Sequence, residues 1–129
     1  MVNERTDGTT LYQRLGGYDV IAAFVDDTYA RLRNDPRFRR FATRSVDSQQ
    51  RARQLLIDQI CNLAGGPCLY IGRDMKTAHV GLQISKEEWD VSVEYTRQAL
   101  AQQGVKEREA DEVIDLIERY RGDIVEEAA

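Results

Sequence analysis

One histidine, two cysteines and two prolines are all that this 129-residue chain contains of those types, and each scarcity removes a class of answer. With a single imidazole, any site built on two or more histidines is ruled out. Two cysteines, Cys61 and Cys68, cannot make the disulfide framework of a small secreted domain. In a reducing compartment they are expected as thiols, Cys61 as a small buried apolar residue, with a redox-linked pair as the alternative. A zinc site from Cys61, Cys68 and His79 matches none of the paired-cysteine spacings and leaves a coordination position open, so it is a poor rival. No apolar stretch approaches the roughly 20 residues that cross a bilayer, and the polar opening "MVNERTDGTT" is unlike a secretory leader. Lysine and arginine never run longer than a pair and the formal net charge is −4, which argues against nucleic acid and anionic membrane as partners. The expected location is the cytoplasm.

What the chain does have is helical spacing. Hydrophobic residues make up 42% and charged residues 31%, an ordinary globular mixture, and 129 residues suffice for one domain with its own core. Residues 1–129 are therefore read as one domain, with 1–9 as a flexible N-terminal extension. Strand-type alternation is missing, and the fold class is all-α. From Asp19 to Leu32, Ile21, Val25, Thr28 and Leu32 form one stripe, flanked by Phe24 and Tyr29. Pro36 suits the first turn of a short helix in "NDPRFRRFA". A further helix is expected from an Asp47 cap to about Leu63, stopping at "AGGP". "RDMKTAH" reads as a short helix. Ser85 and Glu88 form a capping box ahead of the stripe Trp89, Val93, Thr96 and Leu100, and Gly104 ends that helix. One last helix is expected from about Lys106 to Val125.

Three places are odd. At 100° per residue, Gln50, Gln54, Ile57 and Cys61 fall within about 60° of arc. Two glutamines on such a face point either to solvent or to a pocket that binds something polar. Tyr29 edges an apolar stripe, so its hydroxyl needs a partner or water. His79 follows Met75 by one turn, with Arg73 and Lys76 nearby and Gly72 and Gly81 at either end. An exposed imidazole is the plain reading. An imidazole beside a soft apolar residue and cations also suits an iron porphyrin, with its nitrogen ligand and anionic propionates.

Taken in order, "LYQRLGGYDVIAAFVDDTYARL", "SQQRARQLLIDQICNLAGGP" and "YIGRDMKTAHVGLQIS" resemble the group I truncated hemoglobins, shortened globins built as a two-over-two helical sandwich around haem. The resemblance implies haem b as cofactor and His79 as the proximal iron ligand. It further implies Tyr29, Gln50 and Gln54 as the distal residues that stabilise a bound gas. Phe41, Tyr70, Met75, Trp89 and Val93 then contact the porphyrin, and Arg53 and Arg73 match positions where cations meet the propionates. The implied partners are O2, NO or CO and a reductase. Three distal donors imply tight oxygen binding and slow release, which suits conversion of nitric oxide to nitrate or gas sensing better than bulk oxygen transport. The rival from another class is a cofactor-free helical interaction module, which would be colourless.

Overall fold

A computed structural model describes residues 9–126. Its helices are α1 (Leu11–Leu15), α2 (Tyr18–Arg33), α3 (Val46–Leu63), α4 (Met75–His79), α5 (Lys86–Gln102), α6 (Glu107–Glu118) and α7 (Arg121–Ile124), with a 3-10 helix at Pro36–Phe41. Among the described residues the only β-type contact is an isolated parallel bridge between Ile84 and Val125. Most of the expected extension, residues 1–8, lies outside the described residues.

Local chemistry sets the boundaries. Thr10 caps α1 in a reciprocal capping box with Gln13, and Ser85 caps α5 in the same way with Glu88. Gly16 ends α1 at φ 108°, a left-handed conformation, and a Cβ there would lie 2.8 Å from Val20 Cγ2. Asp35 accepts from the Arg37 backbone N–H and opens the 3-10 helix with Pro36 in its first turn. The α3 cap is Ser45, whose side chain accepts from the Ser48 N–H, and not Asp47. Asp47 falls instead within the first turn, where its charge still favours the helix dipole.

Helix α2 packs on α5 and on α3, and α5 packs on α6, which gives the two-over-two arrangement of α2–α3 and α5–α6. Its core is formed by Ile21, Phe24 and Val25 from α2, Ile57 and Cys61 from α3, Ala99 and Leu100 from α5, and Val113 from α6, all almost fully buried. Each large aliphatic or aromatic side chain so buried stabilises the fold by roughly 1.5–3 kcal/mol.

Two sequence-based expectations are corrected. The single C-terminal helix from Lys106 to Val125 is broken at Arg119–Tyr120 into α6 and α7. The break is tertiary in origin. Arg121 bonds back to Glu118 and across to Asp90, while α7 packs against α4 and Val125 bridges Ile84. Cys61 and Cys68, expected as thiols, are joined by a disulfide with Cα atoms 5.7 Å apart. The Gly65–Gly66–Pro67 turn, held by the Gly66 N–H on the Cys61 carbonyl at 2.8 Å, folds Cys68 back beside the last turn of α3.

Candidate functional site

Between the two helical layers lies a cavity of about 360 Å³, within the size range of small-molecule and cofactor sites. Its walls are mostly apolar. Phe24, Val25 and Leu32 come from α2, Phe38 and Phe41 from the 3-10 helix, and Leu56, Ile60 and Leu63 from α3. The opposite wall carries Met75 and His79 from α4, then Leu82 and Ile84, with Trp89 from α5 and Tyr120 and Ile124 from the C-terminal end.

The imidazole of His79 is half-buried, and its Nδ1 is 2.9 Å from the Met75 carbonyl one turn earlier. A carbonyl only accepts, so in the neutral imidazole Nδ1 carries the proton and the lone pair is on Nε2. Such a bond to a backbone carbonyl fixes a metal-ligating imidazole in tautomer and orientation. Asp74 helps by capping α4 through the Thr77 N–H, and the Thr77 hydroxyl together with that N–H holds the Asp74 carboxyl below the usual carboxylate range. On the other side of the helix, Glu126 accepts the Gly81 N–H at 3.1 Å and the Gln83 N–H at 2.8 Å. Those backbone donors lower its pKa and tie the segment after His79 to the chain's end.

Tyr29 lines the cavity from α2, and no other described residue makes a hydrogen bond to its hydroxyl. Burial pushes that hydroxyl's pKa up, with the Arg44 charge acting the other way. Gln59, only 9% exposed, also lines the cavity and has no side-chain partner among the described residues. Both polar groups face the open cavity rather than sealed interior, so each keeps its hydrogen-bonding capacity for an occupant. Two such groups in one cavity point to a polar occupant. Trp89 is held in place by its indole N–H on Glu118 at 2.6 Å. Arg33 and Arg44 bring positive charge to the lining.

Of the residues expected from sequence, His79, Met75, Tyr29, Phe41 and Trp89 come together here. The others lie elsewhere. Gln50 is exposed. Gln54 is exposed as well, its amide donating to the Tyr18 hydroxyl at 2.8 Å and to Asp58 at 3.0 Å. Arg53 pairs with Asp26 on α2, and its guanidinium lowers the Asp26 pKa. Tyr70 donates to the Arg73 carbonyl, Arg73 is exposed, and Val93 packs against the core outside the cavity lining. The physical reason for the glutamine result is helix phase. The lining residues Gln49, Ala52, Leu56, Gln59, Ile60 and Leu63 lie roughly 140° around α3 from the face that carries Gln50 and Gln54.

Sequence reasoning missed Gln49, Gln59, Arg33 and Arg44. Gln59 had a readable signal, because it interrupts the apolar row Leu56, Ile60 and Leu63 at helical spacing.

The sequence profile of the bacterial-like globin family matches residues 10–126. This chain is a bacterial-like globin. Among its relatives, the group 1 truncated hemoglobin of Tetrahymena pyriformis is 29% identical over 116 residues, covering 90% of this chain and 94% of that protein. The group 1 truncated hemoglobin GlbN of Synechocystis sp. is 32% identical over 103 residues, covering 77% and 82%. The crystal structure of the Tetrahymena pyriformis truncated hemoglobin in its Fe(III) form superposes with a TM-score of 0.82 at 28% identity, covering 92% of this globin and 100% of that chain. Haem b is the cofactor of these globins, and the residues present here fit it: a large apolar cavity, one imidazole with a free nitrogen, unpartnered polar groups and cations on the lining.

Proposed function

We propose that this globin binds haem b through His79 Nε2 and holds a diatomic gas on the side of the cavity lined by Tyr29. The carrying observation is the Nδ1 bond from His79 to the Met75 carbonyl, which directs the remaining nitrogen lone pair away from the helix backbone. Haem, when bound, would supply an iron held by the His79 nitrogen and able to bind a diatomic gas. The chain supplies the rest. Phe38, Phe41 and Trp89 give the cavity apolar walls, and Tyr29 offers a hydroxyl donor with no competing acceptor among the described residues. Arg33 and Arg44 balance the propionate charge, the task that the resemblance assigned to Arg53 and Arg73.

A donor in a water-poor pocket slows release of a gas that carries partial negative charge. Retention favours chemistry on the held gas, the combination of O2 with nitric oxide and one electron from an external reductant to give nitrate, or sensing, over oxygen transport. Titrating haem into the purified chain tests the reading. One haem per chain should bind and produce an intense band near about 400 nm, set by the chromophore. A chain that stays colourless with excess haem contradicts it.

A further inference from the structure

The cavity contains an amide that the glutamine-rich motif does not account for. Gln50 and Gln54 point away from it, and the Gln54 amide is already engaged by Tyr18 and Asp58. Gln59 is nine-tenths buried, lines the cavity with Tyr29, and has no side-chain partner among the described residues. Its neighbours on the lining face of α3, Leu56, Ile60 and Leu63, are apolar and cannot satisfy it. A primary amide brings two N–H donors and a carbonyl acceptor. It can therefore donate to a gas and accept from the Tyr29 hydroxyl at once, whereas a tyrosine alone offers a single proton.

We propose that Gln59 is the amide that, with Tyr29, polarises a gas held in this cavity, and that Gln50 and Gln54 are surface residues which set the α3 face without touching the ligand. This rests on the haem reading above. The placement of α3 carries it: the cap at Ser45 and the disulfide at Cys61 bracket the helix and fix which face turns inward. In this register the inward face reads Gln49, Ala52, Leu56 and Gln59; the Gln49 amide already donates to the Arg44 carbonyl at 2.8 Å, so the unengaged amide on this face is that of Gln59.

The test is the C–O stretching band of carbon monoxide added to the haem-loaded ferrous protein, which reports the electrostatic field at the gas. Gln59→Leu should shift the band beyond its width and speed oxygen dissociation about tenfold, the factor for losing a hydrogen bond of roughly 1.4 kcal/mol. Gln59→Met, which keeps the volume, should reproduce both effects if Leu impairs folding. Gln50→Leu and Gln54→Leu should leave the band unmoved. A silent Gln59 variant, or a shift from either of the other two, overturns the assignment. Wild-type protein that takes up no haem brings down the haem reading itself, a result distinct from any of these. Without cofactor, Gln59→Leu should match or exceed the wild-type melting temperature of the haem-free chain, because the amide makes no hydrogen bond to another described residue. A lowered value would mean the amide is satisfied within the protein and counts against the proposal.

Discussion

Removing one oxygen atom from Tyr29 separates the hydroxyl's effect on a bound gas from every other property of the cavity. In Tyr29→Phe the ring stays and the contacts of α2 with α3 and α5 are untouched. The hydroxyl has no protein partner among the described residues, so the folded chain loses no internal hydrogen bond. The missing interaction is the one to the gas, a neutral hydrogen bond in a water-poor cavity, and its net value is about 1–1.5 kcal/mol. Dissociation slows by the Boltzmann factor of that energy, so the variant should release oxygen about 5- to 13-fold faster than wild type. Stopped-flow replacement of oxygen by carbon monoxide measures the rate directly. Thermal unfolding of the haem-free variant serves as the control and should match wild type or exceed it. If the off-rate is unchanged while the haem spectrum stays intact, the hydroxyl does not face the gas and the polarity assigned to this wall is wrong.

Other perturbations test the frame that positions the site. A Cβ at Gly66 would fall within 2.8 Å of Cys61 Sγ and nearer still to the Tyr12 ring, so Gly66→Ala should lose roughly 1–3 kcal/mol in denaturant unfolding. Cys68→Ser removes a cross-link closing a seven-residue separation, worth about 2.5 kcal/mol by chain entropy, and unfolding with and without reductant should show that loss only in wild type. Asp35 is held well below the usual carboxylate range by Arg37 and the Tyr95 hydroxyl. Its native pKa is depressed, so its stabilisation is fully present above the unfolded value near about pH 4 and is lost as pH falls toward the native one. Asp35→Asn should therefore flatten the acid limb of a stability-versus-pH curve; an identical limb would mean that other carboxylates carry it.

Local chemistry explains what could be read in the chain. The Ser85–Glu88 box, the proline at position 36 and the paired glycines are decided within a few residues, and the structure uses each as the sequence suggests. Met75 and His79 are one turn apart on a short capped helix, so their common side was legible as well. The face of α3 was not. A helix capped by Ser45 and running past the cross-linked Cys61 to Leu63 can place "QQRARQ" inward or outward, and the choice depends on packing against α2 through pairs such as Arg53–Asp26. Periodicity gives the spacing of a stripe but not the neighbour it meets. The break before Arg121 escaped notice for a similar reason, since the contacts with Asp90 and Ile84 that impose it are distant in sequence.

One imidazole nitrogen, that of His79 aimed by the Met75 carbonyl, is the nitrogen this chain would offer a haem iron. The most direct test of that role is the ferrous absorption spectrum of His79→Gly, recorded with and without added imidazole. The histidine-ligated spectrum should be lost and should return when free imidazole fills the gap left by the side chain. A spectrum that is unchanged by the substitution would contradict it.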